Sequence, residues 1–186
     1  MTKRRIADSN LSFKPVTIAE PGRSNHEWRN QGAFAALTQQ GAVLAWGRRD
    51  DGGIPPGTLK KGVIDLFSNR HSFAALREDG SVTTWGASSK GGNSQSVATQ
   101  LTSDVVQVFS TRRAFAALKR DGSVVTWGKA AEGGDSSQVA DSLKSGVQDI
   151  FTTSTSMAAL KRDGSVVTWG LSTVDPRSEA LGACRA

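Results

Sequence analysis

A fifteen-residue pattern occurs four times in this chain, and every copy ends in Trp-Gly. The copies are AFAALTQQGAVLAWG at 33–47, SFAALREDGSVTTWG at 72–86, AFAALKRDGSVVTWG at 114–128 and SMAALKRDGSVVTWG at 156–170. Their tryptophans, Trp46, Trp85, Trp127 and Trp169, are 39, 42 and 42 residues apart. Self-similarity at a period of about 40 residues is typical of folds that stack one structural unit several times. The pattern therefore predicts a repeat protein of four units.

Each unit is predicted to contain three short β-strands. The first is the run VQDIF at 147–151, which has counterparts at 63–67 and 105–109. The second and third strands flank the dipeptide Asp-Gly at 79–80, 121–122 and 163–164. Asp-Gly between two apolar runs is a strong hairpin signal, because glycine accepts the positive φ that a tight turn requires. The first copy has Gln40-Gly41 at this point, a weaker version of the same turn.

The predicted strands lack the alternation of polar and apolar residues that a sheet with one solvent-exposed face shows. Each second strand contains a pair of alanines, which lets another sheet approach closely: Ala35-Ala36, Ala74-Ala75, Ala116-Ala117 and Ala158-Ala159. Stacked small sheets at a regular interval predict an all-β repeat protein, a small β-propeller-like array of four units of about 40 residues. The repeated phenylalanine and tryptophan side chains are expected to fill the spaces between units.

The 186 residues are predicted to form one domain, with an N-terminal segment at 1–32, four repeat cores at 33–170 and a tail at 171–186. Hydrophobic residues make up 37% of the chain and charged residues 22%, which argues against general disorder. The single cysteine, Cys184, excludes an internal disulfide. No apolar run reaches the roughly 20 residues of a membrane-spanning helix. The basic start at 1–10 has no apolar core behind it, so the predicted location is the cytoplasm, or the exterior by a non-classical route.

The core pattern resembles the regulator-of-chromosome-condensation repeat family. The elements that carry the resemblance are Val105–Phe109, Ala116–Lys119, Asp121-Gly122 and Val124–Gly128, and the likeness extends over 63–170. The resemblance implies a propeller, although the family's usual ring has seven blades and this chain holds four copies. The family's Gly-Gln-Leu-Gly segment is replaced by Gly-Gly-Asn-Ser at 91–94 and Gly-Gly-Asp-Ser at 133–136, which is similar to a short bacterial version. The animal member of that family exchanges nucleotide on a small GTPase and binds chromatin. No residue here matches a motif for either activity, so the resemblance does not imply them for this chain.

The sequence is compatible with two ways of closing the array of units. The run FKPVTI at Phe13–Ile18 could complete the last unit beside the strand Val166–Trp169. Alternatively, two or more chains could join their edges into a larger ring or sandwich as a homo-oligomer. Open strand edges promote aggregation and must be paired or covered, so one of these arrangements is expected.

An additional loop precedes the first copy. Its sequence is EPGRSNHEWRNQG at Glu20–Gly32, and it contains the candidate ligand-binding residues Arg23, His26, Trp28 and Arg29. Loops on a rigid scaffold commonly carry binding residues. The alternative interpretation is that Trp28 covers an exposed edge of the array.

The predicted hairpin tips form a candidate basic rim. Its members are Arg77, Lys119, Arg120, Lys161 and Arg162. Equivalent tips lie on the same rim of a radial array, so these charges are expected to cluster. The chain has 23 Lys and Arg against 17 Asp and Glu, a net charge of +6. Such a rim could attract an anionic polymer or a membrane surface, or it could simply be solvated.

Catalysis is not predicted, and neither is a cofactor or a metal site. The histidines His26 and His71 lack ligand or triad partners at suitable spacing. Turn chemistry explains the repeated Asp79, Asp121 and Asp163. The predicted function is a non-catalytic binding module for a protein or glycan partner. The alternatives are a binder of anionic polymer or membrane surface, and a bacterial effector or toxin that acts on a host partner.

Overall fold

The computed structural model describes residues 13–14 and 29–171, and these residues form four three-stranded antiparallel sheets. We call them units 1 to 4. Unit 1 contains β1 (Phe13–Lys14), β2 (Ala33–Thr38) and β3 (Val43–Gly47), and unit 2 contains β4 (Val63–Ser68), β5 (Ser72–Arg77) and β6 (Val82–Gly86). Unit 3 contains β7 (Val105–Ser110), β8 (Ala114–Lys119) and β9 (Val124–Gly128), and unit 4 contains β10 (Val147–Thr152), β11 (Ser156–Lys161) and β12 (Val166–Gly170). The prediction of three strands per unit is confirmed.

The segments that follow the first three Trp-Gly pairs contain short 3₁₀ helices. They lie at Arg49–Asp51, Ser88–Lys90, Gln95–Leu101, Ala130–Glu132 and Ser137–Leu143. Glycine, serine and aspartate favour such tight local turns over an extended strand.

In units 2 to 4, the hairpins between second and third strands are held by one side-chain arrangement. The carboxylate Oδ1 of Asp121 accepts hydrogen bonds from the backbone N and the Oγ of Ser123, at 2.8 and 2.7 Å. The same pair of bonds forms at Asp79 with Ser81 and at Asp163 with Ser165. These bonds lower the pKa of each aspartate, with the serine hydroxyl as the largest cause. The aspartates therefore serve the turn, as the sequence predicts.

Successive units pack face to face. We call the face that a unit turns to the next unit its forward face, and the opposite one its rear face. Between units 2 and 3, the forward face consists of Phe67, Ala74, Leu76 and Val82, and the rear face of Val108, Phe115, Ala117, Val125 and Trp127. The other two junctions combine the same positions. Alternation along each strand explains the arrangement, because neighbouring residues point to opposite faces and both faces are covered.

The repeated aromatic residues fill these junctions in units 2 to 4. Phe115 and Trp127 stack at 5.5 Å between ring centres, and both are buried. Unit 4 has Met157 at the phenylalanine position, also buried. The packing role predicted for the tryptophans is confirmed for Trp85, Trp127 and Trp169. It is wrong for Trp46, which is exposed because no described unit packs against the rear face of unit 1.

One of the two alternatives for closure, pairing of the N-terminal run with the last unit, is wrong for the described residues of that run. Phe13 and Lys14 do not lie beside Val166–Trp169; they pair with Thr38 and Leu37 of β2 in unit 1. Phe13 thereby takes the position that Val63 has in unit 2, opposite Arg77. Phe13 and Lys14 supply the first strand of their own repeat, because pairing with the nearest strand in the chain closes a shorter loop. Residues 15–18 lie outside the described part.

Candidate binding surface

The turns between first and second strands lie side by side along one rim of the array. Backbone hydrogen bonds join each turn to the next, from the N of Gln31 to the O of Arg70 at 3.0 Å and from the N of Arg70 to the O of Arg112 at 3.3 Å. The N of Arg112 continues the series to the O of Ser154 at 3.0 Å. These turns, with the 3₁₀ segments at 48–51, 87–90 and 129–132, form what we call the turn rim. It is the end of each sheet opposite the hairpin tips.

A short polar side chain builds each of these turns. The Asn69 Nδ2 donates to the carbonyl of Lys90 at 2.6 Å, while its Oδ1 accepts from the N of His71 at 2.9 Å. Thr111 makes the corresponding bonds to the carbonyl of Glu132 and to the N of Ala114. At Asn69 and Thr111, one buried residue thus ties the turn to the 3₁₀ segment and fixes the backbone around it. The sequence marks these turns with an Asn or Thr three positions before each core, and this pattern was not recognised as a turn signal. The residues are Asn30, Asn69, Thr111 and Thr153.

Glu132 holds two arginines on the turn rim. Its carboxylate is buried, and Oε1 accepts from Nη1 of Arg113 at 2.9 Å and from Nη2 of Arg112 at 3.3 Å. Both guanidinium groups remain partly exposed. Within the described residues, Arg113 Nε is the one buried side-chain nitrogen or oxygen without a hydrogen-bond partner. Two cations share one anion here, so the cluster presents net positive charge in a fixed geometry.

Asp51 occupies the corresponding place in unit 1. The buried carboxylate lies 3.1 Å from Nδ1 of His71 and 3.3 Å from Nη1 of Arg48. His71 therefore has an ion-pair or hydrogen-bond role between units 1 and 2. Across the described ranges, no group of three or more His, Cys, Asp or Glu side chains is arranged to hold a metal ion.

Positive charge exceeds negative charge on the turn rim. Among its described residues from position 30 onward, the seven basic ones are Arg48, Arg49, Arg70, Lys90, Arg112, Arg113 and Lys129, and the three acidic ones are Asp50, Asp51 and Glu132. Arginine predominates, and its planar guanidinium suits two-point binding of carboxylates.

The hairpin tips carry the five residues of the candidate basic rim at equivalent positions, but acidic residues stand between them. Glu78, Asp79, Asp121 and Asp163 occupy the same three tips. Two of the cations also reach back to the scaffold. Arg77 Nη1 lies 3.4 Å from the carbonyl of Thr58, and Lys161 Nζ lies 2.9 Å from the carbonyl of Ser142. The tips therefore carry both signs, five basic residues and four acidic ones, and their net charge is smaller than that of the turn rim.

The candidate loop before the first copy lies largely outside the described residues. This applies to Arg23, His26 and Trp28, and Cys184 lies outside as well. Arg29 is described and exposed, and it leads directly into Asn30 and Gln31 of the turn rim. The described end of the loop thus adjoins the arginine-rich surface.

Comparison with known proteins reveals a likeness of fold. No family model and no curated protein sequence matches the chain. Among solved structures it is similar to Prp20p of Saccharomyces cerevisiae, which is yeast RCC1, with a TM-score of 0.54 and 19% identity over 77% of this chain and 43% of that one. The CRINKLY WD40 ectodomain of the Arabidopsis thaliana receptor kinase ACR4 matches with a TM-score of 0.52 and 18% identity, over 77% of this chain and 48% of that one. The ectodomain of the Physcomitrella patens receptor kinase CR4 matches with a TM-score of 0.51 and 15% identity, over 76% of this chain and 39% of that one.

These structures confirm the predicted fold class, an all-β repeat of the propeller type. The chain spans less than half the length of each of them. Identities of 15 to 19% establish a common architecture and leave the ligand open. In the part of the chain that the structure describes, no helix has the length and apolar character needed to cross a membrane.

Proposed function

We propose that this protein is a non-catalytic binding module, a short member of the regulator-of-chromosome-condensation repeat family, that binds an acidic segment of a partner protein through the turn rim. The fold likeness supports a binding role. Prp20p, one of the similar structures, is described with binding properties toward Gsp1p and histones. Propellers of this kind present loops on a rigid frame, which is what a recognition surface needs.

The observation that carries the proposal is the pair Arg112 and Arg113 around the buried carboxylate of Glu132. The carboxylate holds both guanidinium groups in place while leaving them partly exposed. A partner's carboxylate then meets arginines whose side chains are already ordered, so little conformational entropy is lost on binding. The backbone bond between Arg70 and Arg112 adds a further arginine from the adjacent unit.

A protein partner is favoured over an anionic polymer because of the hairpin tips. A polymer binder gains affinity from many unopposed cations along its track. Here the tips that were expected to supply them contain at least one acidic residue each. The turn rim instead groups its arginines locally, which suits a short acidic segment.

The test measures binding of a fluorescein-labelled peptide of ten glutamates by fluorescence anisotropy. The test variant is Arg48→Glu with Arg49→Glu, two exposed residues of the turn rim. The matched control is Lys60→Glu with Lys61→Glu, which makes the same charge change at two exposed residues near the hairpin tips. We expect the arginine variant to weaken binding roughly tenfold, about 1.4 kcal/mol, and the control to leave it nearly unchanged.

Other outcomes would overturn the proposal. Equal losses from both variants would indicate attraction by net charge alone. Retention on heparin that depends on Lys60 and Lys61 rather than on the arginines would assign the protein to polymer binding. Selective hits on a glycan array that Trp28→Ala abolishes would assign the N-terminal loop as a glycan site. Turnover of generic esters, phosphates or glycosides would overturn the non-catalytic role.

A further inference from the structure

The two ends of the described array expose the faces that each internal junction buries. On the rear face of unit 1, the side chains of Phe34 and Trp46 are 65% and 52% exposed. Their counterparts in unit 2, Phe73 and Trp85, are 3% and 5% exposed. The difference arises because unit 2 packs against unit 1, whereas the rear face of unit 1 has no described unit against it.

The forward face of unit 4 is exposed in the same way. Val166 is 60% exposed, whereas its counterpart Val82 in unit 2 is 9% exposed. Phe151 is exposed where Phe109 of unit 3 is buried, and Ala158 loses the complete burial that Ala116 has. Unit 4 therefore presents the small and aliphatic half of a junction, and unit 1 presents the aromatic half.

The exposed rings of unit 1 already have the relative geometry that the equivalent rings have in a buried junction. Phe34 and Trp46 stack with ring centres 5.8 Å apart and an angle of 19° between the rings. In the buried pair Phe73 and Trp85, the ring centres are 5.2 Å apart and the angle between the rings is 23°. The strand register, which sets Phe34 opposite Trp46, holds the pair without a neighbouring unit. A partner would bind rings that are already ordered.

We infer that the partner is a second copy of this chain, whose unit 4 packs its forward face on the rear face of unit 1. The contact continues the internal junction residue by residue. Ala158 takes the place of Ala74 and Ala116, whose small side chains leave room for the rings of the next unit. Leu160 and Val166 take the places of Leu76 and Val82. A contact between two rear faces would lack this complementarity, because aromatic pairs would meet aromatic pairs.

Backbone groups at both ends fit the same arrangement. At the junctions, the carbonyl of a hairpin glycine accepts from the N of the next unit's first strand, as between Gly80 and Val105 at 3.0 Å. Gly164 of unit 4 has the equivalent carbonyl, and Phe13 of a second copy has the equivalent N–H. On the turn rim, the N of Ser154 would donate to the carbonyl of Gln31, extending the series that joins Gln31, Arg70, Arg112 and Ser154.

Two copies joined in this way at both ends form a closed ring of eight units. Head-to-tail contacts either close or continue into an open chain, and closure leaves no apolar end face in water. The turn rim lies at the ends of the sheets rather than on their faces. It stays accessible in the ring, so the assembly does not depend on the proposed ligand.

The experiment is the mass in solution by light scattering during gel filtration, at 1 to 100 µM chain. We expect twice the 19.6 kDa of one chain. Phe34→Asp removes the rear-face contact and Val166→Asp the forward-face contact, so each variant alone is expected to be monomeric. Mixed in equal amounts, they are expected to form a two-chain species, because each retains the face that the other lacks. The control Val106→Asp places the same charge on an exposed side chain outside both faces and is expected to stay dimeric.

Circular dichroism checks that each variant keeps its β-sheet spectrum, and Phe34→Ala and Val166→Ser replace any variant that unfolds. A wild-type mass of one chain over the whole concentration range would overturn the inference. So would a Val166→Asp variant that stays dimeric, since that indicates contact between rear faces. Failure of the mixed variants to associate, or a wild-type species larger than two chains, would likewise exclude the two-copy ring.

Discussion

The indole N–H of Trp127 donates a hydrogen bond to the carbonyl oxygen of Gly91, 3.1 Å away in the preceding unit. Trp85 makes the same bond to Gly52 and Trp169 to Gly133, at 2.9 and 3.0 Å. A double glycine follows each of the first three tryptophans by six residues, and these hydrogen bonds make it the partner of the next unit's tryptophan across each junction. A buried indole needs an acceptor, and the glycine carbonyl is the acceptor within reach.

The first prediction concerns the glycine side of this contact. Gly91 has φ +99, and a Cβ there would lie 2.6 Å from Cδ2 of Phe115. We expect Gly91→Ala to lower the free energy of unfolding by about 3 kcal/mol, through backbone strain and overpacking. Urea unfolding measures the change. Gly57→Ala is the control, because its Cβ would meet nothing within 4 Å, and a loss as large as that of Gly91→Ala would contradict the explanation.

A second prediction concerns the indole donor. Trp127→Phe leaves the carbonyl of Gly91 without its hydrogen bond in a buried junction, and it removes ring volume. The expected loss is about 2–3 kcal/mol of unfolding free energy. Trp46→Phe makes the same change at an exposed position and is expected to cost less than about 0.5 kcal/mol. Both are measured by urea unfolding in the Val166→Asp background, so that association does not contribute, and similar losses would disprove the difference in role.

The third prediction concerns Glu132. Glu132→Gln removes the negative charge that Arg112 and Arg113 share, while keeping the size of the side chain. The expected cost is about 1–2 kcal/mol, less than for a fully buried pair because both guanidinium groups reach solvent. Thermal unfolding at low and high salt measures the effect. Added salt should reduce the difference from wild type, and a salt-independent loss would point to a packing defect instead.

The fourth prediction concerns acid stability. Hydrogen bonds from the serine two residues on lower the pKa of Asp79, Asp121 and Asp163 below the ordinary value of 3.8. In the unfolded chain these carboxylates take up protons at higher pH than in the folded chain. Their contribution to stability is therefore present above pH 4 and is lost as the pH falls through the lowered folded values.

Replacing all three serines, Ser81, Ser123 and Ser165, by alanine raises the aspartate pKa values toward the ordinary value. The variant should lose less stability than wild type between pH 4 and pH 2. Thermal unfolding midpoints at half-unit steps from pH 6 to pH 2 provide the comparison. Parallel curves for the two proteins would show that these turns do not govern acid stability.

Local chemistry made much of the fold predictable. Asp-Gly-Ser forms its turn with its own side chains, as the bonds of Asp121 to Ser123 show, so it needs no distant partner. The strands follow from apolar runs on each side of that turn. Even the packing of Trp85, Trp127 and Trp169 was predictable, because the period implies a neighbouring unit for each.

The binding surface was less predictable, because its charges meet only in three dimensions. Glu132 stands in a segment that reads as a polar loop, twenty residues from Arg112 and nineteen from Arg113. The basic residues of the hairpin tips were conspicuous in the sequence, but the acidic residues beside them reduce their joint charge. Each arginine of the turn rim can be found in the sequence, but it is the backbone hydrogen bonds between turns, through Arg70 and Arg112, that bring these arginines together.

The sequence by itself determined the number of units, their strands and their turns, since each depends on residues close together in the chain. Tertiary structure decided which copies of one motif are buried. Phe34 and Trp46 belong to the same pattern as Phe73 and Trp85, yet only the second pair has a neighbouring unit against it. A residue's burial depends on what packs across from it, and a repeat at the end of an array has no such neighbour within the described chain.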